Sequence, residues 1–190
     1  MKLHFLSSSI AALLVSHALL DAVVASDDHG LPNTTLTGKD NELQYLGNLL
    51  SLSPDGKVLA MTGSCKSDDH RCERALMYQL LPNRSWTQMG DALSINNTRS
   101  SIYSIALSQS PKKVAPKGTR VVLGSADAND WGGAAVVYSW DGRKWVQVGA
   151  RIDGTKPSHD HLGEQVSISS DGRRVATEHQ HSLDEVYYTQ

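Results

Sequence analysis

The residues best equipped for chemistry lie in one polar stretch, Asp127-Ala-Asn129-Asp130-Trp131, where carboxylate and amide oxygens stand beside a large aromatic surface. Oxygen acceptors next to an indole are the parts of a sugar or cation site, and the same Asx residues also suit a solvated turn. Asp127, Asn129, Asp130 and Trp131 are therefore the candidate ligand-binding residues. Two histidine pairs, His159-Asp160-His161 and His179-Gln180-His181, invite a metal reading, because residues i and i+2 of a strand share a face. Neither has a third ligand at usable spacing, so no metal ligand and no cofactor is assigned. A hydrolase triad lacks its Gly-x-Ser-x-Gly elbow, and no spacing sets Asp127 and Asp153 apart as acid and nucleophile, so no catalytic residue is assigned either.

The elements around these residues begin with a leader. Lys2 precedes an apolar run through Ile10, Leu13, Leu14, Val15, Leu19 and Leu20, and Val23-Val24-Ala25-Ser26 supplies small residues before Asp27-Asp28. This predicts a secretory signal over 1–26; Ser7, Ser8, Ser9, His17 and Asp21 interrupt the run and argue against a membrane anchor. In an oxidising compartment the only two cysteines, Cys65 and Cys72, read as a disulfide. Its short ring stabilises by roughly 2–3 kcal/mol and staples one turn. His70 inside that ring adds a third zinc ligand without a fourth. Three sequons, at Asn33, Asn83 and Asn96, fall between apolar runs and are the expected glycosylation sites. A net charge of −2 with scattered Lys and Arg argues against nucleic acid as a partner. The expectation is an extracellular glycoprotein with no membrane contact after signal cleavage.

Self-similarity organises the remainder. Leu46-Gly47 leads into Leu52-Ser-Pro-Asp-Gly-Lys-Val-Leu-Ala60, and Leu162-Gly163 leads into Ile168-Ser-Ser-Asp-Gly-Arg-Arg-Val-Ala176, with Ile102-Tyr-Ser-Ile-Ala-Leu-Ser108 as a middle copy. Independently, Trp86-Thr-Gln-Met-Gly90 matches Trp145-Val-Gln-Val-Gly149 at an offset of 59 residues. Period-two alternation and Asp-Gly turns divide each unit into short strands. Second strands are expected over 57–62, 119–125 and 173–178, third strands over 74–80, 133–140 and 185–190, and fourth strands over 85–93 and 144–151. Four-stranded units with one aromatic landmark each are a cue for propeller blades.

The segment from Gly124 through Trp131, Trp140-Asp-Gly142 and Trp145 to Gly149 resembles blades of integrin α-chain-type FG-GAP propellers and their secreted microbial relatives. The segment from Leu52 to Ala60 is similar to the inner strands of WD-like propellers. The resemblance covers about residues 46–190 and implies an all-β, propeller-like fold of about three four-stranded antiparallel blades, over 46–97, 98–161 and 162–190. It departs from calcium-binding FG-GAP repeats, since Ser53-Pro-Asp-Gly56 and Ser169-Ser-Asp-Gly172 offer one carboxylate each where calcium takes six or more oxygens.

Closed propellers have typically four to eight blades, so three leave a deficit. Three arrangements meet it: a piece of a longer chain, two chains forming one six-bladed ring, or a three-blade form. Residues 34–38 within the 27–45 linker are expected to pair with 185–190 and close the last blade. The functional expectation is a non-enzymatic binding or scaffold module recognising protein or glycan through blade loops. The alternative is the remnant of a secreted glycan-directed hydrolase.

Overall fold

In a computed structural model the described residues are 22–24, 34–36, 43–44, 46–65, 72–95, 100–109, 116–155, 160–178 and 186–188. They form an all-β structure in which every strand ladder is antiparallel. A two-stranded ladder joins β1 (Ala22–Val24) to β2 (Thr34–Leu36). The first large sheet holds β3 (Leu43–Gln44), β4 (Leu50–Leu52), β5 (Val58–Cys65), β6 (Glu73–Leu80) and β7 (Trp86–Gln88). The second holds β8 (Ser104–Leu107), β9 (Arg120–Ser125), β10 (Ala134–Trp140), β11 (Trp145–Gln147) and β12 (Ile152–Asp153). The third holds β13 (Val166–Ile168), β14 (Arg174–Thr177) and β15 (Val186–Tyr188).

Each large sheet is an up-and-down meander, and a repeated hydroxyl sets its first turn. Ser53 Oγ donates to Asp55 Oδ1 (2.7 Å) and accepts from Val58 N (2.9 Å), while Gly56 takes φ 69°. Ser169 Oγ repeats this with Asp171 Oδ1 (2.6 Å) and Arg174 N (2.9 Å), and Gly172 takes φ 74°. In the second sheet, where a longer connection replaces Asp-Gly, Ser108 Oγ still accepts from Arg120 N (2.8 Å). The expected fourth strands are each broken in two. Gly90 (φ 68°) and Gly149 (φ 71°) interrupt the ladders after β7 and β11; pairing resumes as a bridge at Leu93 and as β12. A positive φ is cheap only for glycine, so the break falls where the sequence has one.

The sheets stack face on face. Val58 and Ala60 of β5 and Ala75 and Met77 of β6 pack against Val121, Leu123, Ala134 and Val136 of the second sheet. The opposite face of the second sheet, through Val122, Ala135 and Val137, packs on Leu162, Val166, Ile168 and Val175. Because β5, β9 and β10 are buried on both faces, they read as near-continuous apolar runs. The far face of the first sheet, with Leu59, Met61, Leu76 and Tyr78, is covered with the help of Leu36. The far face of the third sheet carries Ser167, Arg174 and Ala176, all exposed.

The described sheets make no closed barrel or ring. The expected closing pair of 34–38 with 185–190 is not formed: β2 pairs with β1, and β15 pairs with β14. The reason is positional. Leu36 sits on the outer face of the first sheet, whereas β15 belongs to the third, at the other end of the stack.

Candidate functional site at the loop end of the stack

Antiparallel meanders separate short turns from longer connections. One end carries the Asp55-Gly56, Asp141-Gly142 and Asp171-Gly172 turns; the other gathers Cys65, Cys72 and residues 100–103, 126–133, 153–155 and 160–163. The candidate ligand-binding residues lie at this second end, on the connection from β9 to β10. A single turn, Ala128–Trp131, forms there with left-handed backbone at Asn129 (φ 53°), Asp130 (φ 52°) and Trp131 (φ 69°). Asn and Asp tolerate this conformation, but an L-residue such as Trp meets a cost of about 1–2 kcal/mol.

Main-chain bonds on both sides hold the turn. Gly133 N donates to Ala128 O (2.8 Å), and His161 N donates to Trp131 O (3.1 Å). Added side chains at Gly133 or Gly154 would run into the Leu162 and Gly132 backbones, so both glycines are required by close approach. The result is a fixed backbone presenting Trp131, 48% exposed, with its ring 5.5 Å from that of His161 at 44°.

The four predicted residues do not share one set of partners. Asn129 Nδ2 donates to Asp153 Oδ1 (2.6 Å), its Oδ1 accepts from Arg151 Nη2 (3.0 Å), and Arg151 Nε pairs with Asp153 at 2.6 Å. Asp130 is exposed beside Trp131. Asp127 turns inward instead, accepting from Ser125 Oγ (2.8 Å) and Ser101 N (3.2 Å). Asp127 and Asp153 are thus committed to different partners.

Asp127 leads to residues that sequence reasoning missed. Glu73, only 7% exposed, accepts from Ile102 N (2.7 Å) and Asn48 Nδ2 (3.3 Å). The carboxylates of the first and second sheets thereby clamp two successive amides just before β8. Burial raises the Glu73 pKa above its ordinary value, against the lowering effect of these donors, and the Asp127 charge raises it further. Next along the chain, Tyr103 is 38% exposed, and its phenol is raised by desolvation and then by Asp127, Glu73 and Glu164. The available signals were a lone carboxylate opening an apolar strand and a tyrosine directly after the buried Ile102. Neither points to a shared site until three sheets converge.

Cys65 and Cys72 form the expected disulfide, with Cα atoms 5.3 Å apart. Asn83 is exposed, its Oδ1 accepting from Ser85 N (3.1 Å) and Ser85 Oγ (2.8 Å); Asn33 and Asn96 lie outside the described residues. So do His70, His159, His179 and His181, while Asp160 is buried with Thr155 Oγ1 donating to its Oδ2 (3.0 Å). No three His, Cys, Asp or Glu side chains among the described residues converge as a metal site. No helix among them is long and apolar enough to cross a membrane. No protein-family model matches the sequence, and no curated protein matches it.

Proposed function

We propose that this chain is a secreted, non-enzymatic binding or scaffold module, a three-blade propeller segment of FG-GAP or WD-like kind, that contacts a protein or glycan through its loop end. The observation that carries this reading is Trp131, held half-exposed on a turn whose backbone is bonded on both sides. A large aromatic kept out of the core at a cost in backbone strain is characteristic of a contact residue, because rigid presentation lowers the entropy lost on binding. Tryptophan also stacks on sugar faces and anchors protein interfaces. Signal cleavage after Ala25 or Ser26, which would remove β1 and leave β2 without that partner in the mature chain, and glycosylation at Asn33, Asn83 and Asn96 belong to the same reading, with the Cys65–Cys72 disulfide suiting an oxidising compartment.

The test is a glycan array and a protein pull-down with the secreted product, run beside a glycan-hydrolysis screen. Trp131→Ala is expected to abolish capture while lowering the thermal midpoint only modestly, since the residue is 48% exposed. Turnover of any arrayed glycan by the wild-type protein would replace this reading with that of a glycan-directed hydrolase.

A further inference from the structure

Strands β4, β8 and β13 are each an edge strand of their sheet, and they converge. Between them lies a groove of about 480 Å³ lined by Leu49, Leu50, Tyr103, Ile105, Glu164 and Val166, with Ser104 and Gln165 adding polar groups. We propose that this groove binds an extended basic peptide segment, seating its guanidinium or ammonium side chain against Tyr103 and Glu164.

Charge complementarity selects the occupant. Among the described residues no Lys, Arg or His lines the groove, and Glu164 is part of its wall. Behind Tyr103 the Glu73 and Asp127 carboxylates anchor the amides of Ile102 and Ser101, which directs negative potential toward the same ring. Desolvation raises the Tyr103 phenol pKa first, and the charges of Asp127, Glu73 and Glu164 raise it further in the sense that a neighbouring cation would offset. The exposed Tyr103 face offers a cation–π contact. Apolar walls at Leu49, Leu50, Ile105 and Val166 suit the methylene stem of Lys or Arg. A groove of this size is wider than a bare metal ion needs and falls within the range of roughly 300–1,000 Å³ usual for organic ligands. As edge strands, β4, β8 and β13 are the kind of element beside which an extended peptide lies.

The site is distinct from Trp131, and the experiment separates the two. Fluorescence anisotropy is measured with a labelled Gly/Ser hexapeptide carrying one central arginine, and with the same peptide carrying citrulline, its neutral isostere. The arginine peptide is expected to saturate and the citrulline peptide to bind about tenfold more weakly. Glu164→Gln and Tyr103→Leu, both at exposed positions, are each expected to weaken the arginine peptide about five- to tenfold with unchanged unfolding midpoints. Trp131→Ala is expected to leave it within about twofold. Absence of arginine-peptide binding, equal affinity for citrulline, or indifference to both groove variants overturns the proposal. Free arginine competing as well as the peptide overturns the peptide assignment in favour of a small-molecule cation site. Loss of binding in Trp131→Ala alone moves the contact to the loop turn and also overturns it.

Discussion

Trp86 and Trp145 occupy the same place in two copies of one segment and end in different surroundings. Locally the copies agree: Gln88 Nε2 donates to Gly90 O (3.0 Å), and Gln147 Nε2 donates to Gly149 O (3.2 Å). Trp145 then reaches across to the first sheet. Its indole N–H donates to Met89 O (2.9 Å), and its ring lies 5.4 Å from that of Trp140 at 52°. Trp86 has no large sheet on its far side; it packs at the margin of the cluster around Leu59, Met61 and Leu36, and among the described residues it has no matching bond. The glycines show the same asymmetry. A Cβ at Gly90 would meet Trp140 at 3.1 Å, while one at Gly149 would meet nothing within 4 Å. A repeat motif therefore specifies local shape, and the neighbouring sheet sets how much that motif stabilises.

The comparison is most easily broken at the tryptophans. Trp145→Ala is expected to cost about 3–5 kcal/mol, since it empties part of the core between two sheets and leaves Met89 O unpaired. Trp86→Ala is expected to cost about 1–2 kcal/mol, because its side chain is only half-buried. Chemical denaturation of both variants checks this, and equal losses would mean that the inter-sheet contact is not what distinguishes them.

The glycine pair sharpens the same point on a smaller scale. Ala at either position carries the penalty of a positive φ, about 1 kcal/mol. Gly90→Ala is expected to lose more than Gly149→Ala, by whatever the Trp140 and Trp145 rings must yield to the added methyl. Thermal midpoints would show the difference directly.

The smallest expected effect is a pH slope confined to the junction of the first two sheets. Burial raises the Glu73 pKa, so the folded state holds this proton more tightly than the unfolded chain does. Stability from this group is full below its ordinary value of 4.5 and falls as pH rises through the raised folded value. Glu73→Gln is expected to flatten that fall, as measured by denaturation midpoints against pH. Asp141 and Asp171 act in the opposite sense and in a lower window. Asp141 is held below the ordinary 3.8 by the Lys144 and Arg143 amides, and Asp171 by the Ser169 hydroxyl and Arg173 amide. Their contribution is present above 3.8 and is lost as pH falls through the lowered folded values.

Much of the fold was legible in the residues. Alternation and the Asp-Gly turns located β5, β9 and β14 to within a few residues, and two spaced cysteines foretold their disulfide. Strand interruptions at Gly90 and Gly149 are marked in the sequence only by the glycines themselves, and alternation alone does not separate one strand from two short pieces. The destination of β2 was not legible, since a three-residue strand pairs with whichever edge its neighbours bring near. Of the candidate site, Trp131 stood out as an indole in a polar stretch. Asp127, earlier in the same stretch, braces the chain before β8, a role invisible without the Ser101 amide.

Local pattern alone determined that this chain makes short antiparallel strands with repeated turns, because turn chemistry and side-chain alternation act over a few residues. Tertiary structure decided which copy of each motif lies in a core, and it brought Glu73, Tyr103, Asp127 and Glu164 to one end. Those four come from three sheets far apart along the chain, and no spacing rule links them. Only the stacking of apolar faces, driven by removing them from water, sets their relative positions.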